Sequence, residues 1–130
     1  MANSLFDHFV VINPQKSAVT EPCDAGLYNR LERNFNGFTG HELVSAYIFT
    51  ENWQSWERHP NGDEIIVLLS GEIDIVLRHH DAEQQVTLNK PGTFTIIPRN
   101  TWHTARVNTR CEVLFITPGE GTEHSVMQKP

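Results

Sequence analysis

The chain has 130 residues, of which 38% are hydrophobic and 20% charged, which suits one globular domain with a core that needs no disulfide staples. A net charge of −6 with only 10 scattered Lys and Arg speaks against nucleic acid, and no apolar run approaches the length of a membrane span. Cys23 and Cys111 lie far apart without a CxxC pattern, and are expected to be reduced thiols in a cytoplasmic protein, Cys111 as a small core residue.

Residues 1–41 mix polar and apolar side chains without a clean period and are expected to form an N-terminal arm, packed outside the main body or against a partner. Within the arm, Asp24 precedes apolar residues at Leu27, Tyr28 and Leu31, the pattern of a short capped helix. Asn36-Gly37-Phe38-Thr39-Gly40 marks a turn.

From Glu42 the period becomes two. Residues 43–50, 64–69, 72–77, 85–88, 93–97, 103–107 and 111–117 are short, rich in β-branched and aromatic residues, and separated by turn chemistry. Ser70-Gly71 and Asn108-Thr109 read as tight turns, and residues 79–83 as a polar loop. Strands at this spacing with no long helix between them predict an all-β, antiparallel sandwich or barrel over residues 42–117. The tail, residues 118–130, is expected to be loosely held.

Alternation decides which side chains meet. Residues two apart share a face of a strand, so Glu57 points with His59, and Glu64 with Ile66 and Leu68. His103 points with Ala105 and Val107. A carboxylate at the head of an apolar face is costly unless it is paired, hydrogen-bonded or on a metal, which singles out Glu64. His59, Glu64 and His103 together offer two imidazoles and a carboxylate, a set that suits Fe, Mn, Ni, Co or Zn and leaves positions open for substrate or oxygen. Asp63 belongs with Asn61-Gly62 as turn chemistry. His79 and His80 sit in a solvated loop, and His8, His41 and His124 join no constellation.

These residues resemble the two motifs of the cupins. The first cupin motif is Gly, five residues, His-x-His, three or four residues, Glu, six residues, Gly. Here His59, Glu64 and Gly71 fall at that spacing, with Glu51 in place of the first glycine and Glu57 in place of the first histidine. The second motif is Gly, five residues, Pro-x-Gly, two residues, His, three residues, Asn. It is matched by Gly92, Pro98 and His103, with Asn100 replacing the glycine and Val107 the final asparagine. Asn tolerates a left-handed backbone better than most residues, so Asn100 is a mild change. The resemblance implies a double-stranded β-helix, or jelly-roll barrel, with metal ligation by His59, Glu64 and His103. It extends to Glu57 by position only; for Glu57 an ion pair with Arg58 is the competing expectation. Four such ligands make a hard N2O2 site that leans towards Fe, Mn or Ni, with Zn also compatible.

Candidate pocket residues are Tyr47, Trp53, Trp102 and Arg99. Tyr47 is core first and pocket second, Trp53 and Trp102 wall a pocket or fill the core or a subunit interface, and Arg99 either clamps an anion near the metal or stands in solvent. Two functions compete. One is a metal-dependent enzyme of dioxygenase, isomerase or decarboxylase type acting on a small anionic molecule in the barrel. The other is a binding or sensor protein with the same pocket and no chemistry. No catalytic residue beyond the ligands stands out. Strands with apolar residues on both faces, such as 65–69, need cover outside as well as inside, which predicts a homodimer.

Overall fold

Turn residues cut the chain into strands too short to need a helix between them, and every strand pairs antiparallel with its neighbour. The computed structural model describes residues 2–126. In order along the chain come β1 (His8–Ile12), β2 (Ala18–Pro22), α1 (Leu27–Asn34), a single 3-10 turn at Asn36–Phe38, β3 (Glu42–Phe49), β4 (Ser55–Arg58), β5 (Glu64–Ser70) and β6 (Ile73–His79). β7 (Ala82–Leu88), β8 (Phe94–Ile97), β9 (Trp102–Arg106), β10 (Cys111–Thr117) and β11 (Glu123–Val126) follow. They form a six-stranded sheet, β2-β1-β3-β10-β5-β8, and a five-stranded sheet, β11-β4-β9-β6-β7. This is the antiparallel two-sheet fold expected from the alternation, and the jelly roll that the resemblance implies.

The two inner faces make the core. Ile66 and Leu68 of β5, Ile73, Ile75 and Leu77 of β6, Ala105 of β9, and Cys111, Val113 and Phe115 of β10 pack into one buried cluster. Gly71, at φ +80°, turns β5 into β6 so close to the Arg110 carbonyl that a Cβ would collide with it. Asn100 takes the left-handed conformation, φ 61°, that its place in the Pro98–His103 turn requires.

The N-terminal arm is more regular than its sequence suggests. β1 pairs with β3, and β2 covers β1. Only Phe9 and Val11 of β1 are buried and β2 is mostly exposed, so neither carries a strong alternation signal. Helix α1 lays Leu27 and Leu31 on Phe9, Val11, Phe38 and Leu43, a second small core at one end of the sandwich. Asp24 bonds the Gly26 N–H and Arg30 rather than the helix itself, whose N-cap is Gly26. The tail also departs from expectation up to Val126: β11 pairs along β4, from Glu123 opposite Arg58 to Val126 opposite Ser55. Residues 127–130 of the tail lie outside the described residues.

The outer face of the six-stranded sheet is apolar across its width. Val10, Val44, Ile116, Ile65 and Ile96 are successive cross-strand partners on β1, β3, β10, β5 and β8. Beside this row Phe94 is 61% exposed and Ile48 47%. Among the described residues no helix is long and apolar enough to cross a membrane. Cys23 is exposed and Cys111 buried, both as free thiols.

Candidate metal centre

Three strands bring the metal candidates together. Glu57 on β4 lies directly opposite His103 on β9, and His59 follows just past the end of β4. Glu64 opens β5 in the facing sheet, with Ile66 and Leu68 below it on the same inner face. Ligand atoms of Glu57, His59 and His103 all lie within 4.8 Å of one another. Glu64 reaches into the same space: Oε2 is 3.3 Å from His59 Nε2 and Oε1 is 3.0 Å from His103 Nε2. The side chains of His59, Glu64 and His103 are 4%, 3% and 0% exposed, whereas Glu57 is 28% exposed.

Neighbouring groups fix which ring nitrogen carries the proton. His59 Nδ1 is 2.9 Å from Thr122 Oγ1, and that hydroxyl donates its own proton to the Gly119 carbonyl. Thr122 therefore accepts from His59, which places the ring proton on Nδ1. His103 Nδ1 is 3.0 Å from the Thr101 carbonyl, which can only accept, so its proton also sits on Nδ1. In the neutral rings both Nε2 lone pairs then face Glu64. Thr117 Oγ1 donates to Glu64 Oε2 at 2.6 Å and fixes the carboxylate. His59 Nε2, His103 Nε2 and Glu64 Oε1 are all buried with no hydrogen-bond partner.

Two lone pairs and an ionised carboxylate turned towards one another demand a positive charge. Burial pushes the Glu64 carboxyl up, but the His103 and His59 imidazoles outweigh burial and hold it at about 2. Burial likewise disfavours a charged His103, yet the Glu64 carboxylate raises its pKa above the ordinary value. A proton can supply the charge, and a divalent cation supplies it while using all three orphaned atoms as ligands. The donor set and its outer partners fit such an ion.

A cavity of about 1080 Å³ adjoins the cluster, at the upper limit of small-molecule sites. Glu57, His59 and Glu64 line one end, and α1 with the 3-10 turn lines the other through Tyr28, Leu31 and Phe38. Between them stand Ser45, Tyr47 and Phe49 from β3, Trp53 from the β3–β4 loop, and Phe115 and Thr117 from β10. The Trp53 N–H of the backbone bonds the Ala105 carbonyl, which pins that loop to β9. Tyr28 and Tyr47 share a hydroxyl–hydroxyl hydrogen bond at the cavity wall.

The remaining candidates fall elsewhere. Arg99 is exposed in the turn before β9, its backbone N–H donating to Asp63 Oδ1, and it does not line the cavity. Trp102 does not line it either; its ring lies under Arg58, 4.6 Å from the guanidinium carbon, because side chains adjacent to His103 on β9 point outward. Arg58 pairs with Glu123, so Glu57 meets His124 instead, Oε1 to Nε2 at 3.2 Å. Thr117, Thr122 and His124 are the partners that the sequence did not mark: lone polar residues far along the chain from the groups they touch. His79 and His80 are exposed in the β6–β7 hairpin, and His41 packs between Phe35 and Phe38.

A family model described as Cupin domain matches residues 50–117. Among solved structures, the chain is similar to a cupin-2 domain containing protein from Shewanella frigidimarina NCIMB 400 at 22% identity and a TM-score of 0.51, over 59% of this chain and 70% of that one. It is similar to hydroquinone 1,2-dioxygenase from Sphingomonas sp. TTNP3 at 13% identity and a TM-score of 0.52, over 65% of this chain and 61% of that one. An oxalate oxidase matches at 15% identity and a TM-score of 0.52, over 62% of this chain and 44% of that one. At these identities the likeness is one of fold. No curated protein matches the chain.

Proposed function

Because the chain belongs to the cupin-domain family, we propose that it is a small metalloprotein in which His59, Glu64 and His103 hold a divalent transition metal, with Glu57 as fourth ligand. The observation that supports this reading is the cluster of buried, unpartnered atoms, His59 Nε2, His103 Nε2 and Glu64 Oε1, with each imidazole nitrogen 3.0–3.3 Å from the Glu64 carboxylate. Two nitrogens and two oxygens favour Fe, Mn or Ni, with Zn also compatible. The cupin barrel is residues 42–117, with 1–41 as its arm and 118–130 as its tail.

We assign the protein to metal-dependent enzymes of oxidoreductase or isomerase type. Once bound, the metal acts as a Lewis acid or oxygen activator on a small molecule in the cavity, the chemistry shared by dioxygenases, isomerases and decarboxylases. The chain's own contribution is orientation. Thr122 and the Thr101 carbonyl hold the ring protons on Nδ1, and Thr117 holds Glu64. An oxidase and a dioxygenase among the proteins of like fold make oxygen the first co-reactant to test.

The apolar outer face of the six-stranded sheet supports a homodimer, and free thiols together with the charge balance support a cytoplasmic location. The test is to load metal-free protein with Fe(II), Mn(II), Ni(II) or Zn(II) under anaerobic conditions and measure bound metal, then oxygen uptake with small aromatic and hydroxylated substrates. Metal bound one to one with turnover supports the enzyme. Metal bound without any turnover favours a binding or sensor role, and no binding of any of the four ions refutes the proposal.

A further inference from the structure

The cavity wall between the ligands and helix α1 is aromatic and continuous. Phe49 lies 5.8 Å from Tyr47, 5.5 Å from Trp53 and 6.1 Å from Phe115, measured between ring centroids. Trp53 also lies 6.2 Å from the His103 ring, so the wall runs up to the metal candidates. Tyr47, Phe49 and Trp53 are only partly buried although they belong to the inner face, because the surface they expose is cavity surface. The Trp53 indole N–H is buried with no partner.

Charge around the cavity is one-sided. Glu32, Glu51, Glu57 and Glu64 line it, and among the described residues no Lys or Arg does. Arg99, the one cation expected there from sequence, is outside. If a divalent metal takes Glu57 and Glu64, its charge and theirs cancel, and Glu32 and Glu51 still leave the walls negative. Away from the metal a carboxylate ligand would find no Lys or Arg to pair with, only the imidazoles of His59 and His124, whereas π faces and acidic walls both favour a cation.

We infer that this cavity takes a planar aromatic molecule that is neutral or positively charged, stacked along the Tyr47–Phe49–Trp53 wall, and that it excludes aromatic carboxylates. The inference deepens the metal reading and rests on it only for what neutralises Glu57 and Glu64.

Three probes share a phenol ring and differ in charge: tyramine, 4-ethylphenol and 4-hydroxyphenylacetate. Their binding to the full chain is measured by calorimetry at pH 7.5, once with Zn(II) and once with chelator. With chelator, tyramine and 4-ethylphenol should bind at least about tenfold more tightly than 4-hydroxyphenylacetate, and zinc should narrow the gap, because its charge offsets Glu57 and Glu64 and its open positions accept a carboxylate. Trp53→Leu should weaken tyramine and 4-ethylphenol alike. Glu51→Arg, an exposed change that leaves the core intact, should tighten 4-hydroxyphenylacetate about three- to fivefold and leave 4-ethylphenol within twofold. Equal or tighter binding of the carboxylate by the unaltered chain in chelator overturns the inference, as does indifference to Glu51→Arg. Metal titrations run alongside separate the two readings. If neither zinc nor Fe(II), Mn(II) or Ni(II) binds while the order of the probes holds, the metal reading fails and the ligand class stands; bound metal with the order reversed in chelator leaves the metal reading and removes the ligand class.

Discussion

Replacing Thr122 by Val should weaken metal binding without touching a ligand. The hydroxyl accepts from His59 Nδ1 at 2.9 Å and donates to the Gly119 carbonyl at 3.0 Å. Valine keeps the volume and removes both. In the metal-bound protein His59 must keep its proton on Nδ1, so the variant buries that N–H without a partner, at about 1–3 kcal/mol. The metal-free protein escapes most of this cost, because the ring can move its proton to Nε2, 3.3 Å from Glu64 Oε2. The difference falls on binding and corresponds to a loss of about 10- to 100-fold in affinity, the range usual for partners one step behind a ligand. Competition titration with a chromophoric chelator measures it, using Mn(II) and Zn(II). Thr122→Ser retains the hydroxyl and should stay within about threefold of the unaltered protein. Unchanged affinity in Thr122→Val, or an equal loss in Thr122→Ser, would refute the claim that this hydroxyl sets the tautomer of His59.

Stability should depend on pH in opposite ways at the two partners of the metal-free site. Glu64, held at about 2 against an ordinary 4.5, contributes fully above pH 4.5 and loses its contribution as pH falls towards 2. His103, raised from 6.5, contributes fully below pH 6.5 and loses its contribution as pH rises through the raised value. The rise in Tm on adding metal should therefore be small at pH 5.5 and larger at pH 8, where fewer protons compete; an equal rise at both would contradict this. Glu57→Gln should weaken metal affinity modestly, and Glu57→His should shift preference towards Zn and Cu. If both variants bind the same metals with unchanged affinity, Glu57 serves His124 and not the metal. The double change Phe94→Glu with Ile96→Lys should convert a dimer into a monomer in sedimentation velocity, and a monomeric unaltered protein at micromolar concentration would remove the dimer.

Strands that bury one face announced themselves in the sequence. Residues 64–69 alternate because Glu64, Ile66 and Leu68 face the core, and 111–117 because Cys111, Val113 and Phe115 do. β4, β2 and β11 did not, since a Trp-Glu-Arg segment and two mostly exposed edge strands are held by backbone pairing that leaves no hydrophobic period. His59 and Glu64 were legible together because one turn separates them; His103, far along the chain and in the other sheet, was legible through its resemblance to the second motif and the parity of its strand. The hydroxyls that orient them were not: Thr117 meets Glu64 across 53 residues and Thr122 meets His59 across 63, and a lone threonine carries no periodic mark. Arg99 misleads for a related reason. Nearness to His103 in sequence says nothing of direction, and its turn sends the side chain to solvent while its N–H serves Asp63.

The most direct test of the centre itself is metal content in protein made without an affinity tag. Unaltered protein and His103→Ala, each dialysed against Fe(II), Mn(II), Ni(II) and Zn(II) in turn, are passed through a desalting column and submitted to elemental analysis. One tightly held ion per chain in the unaltered protein, and none in the variant, is the predicted result. Equal metal in both, or none in either, would mean that His59, Glu64 and His103 are a buried ion pair and not a metal centre.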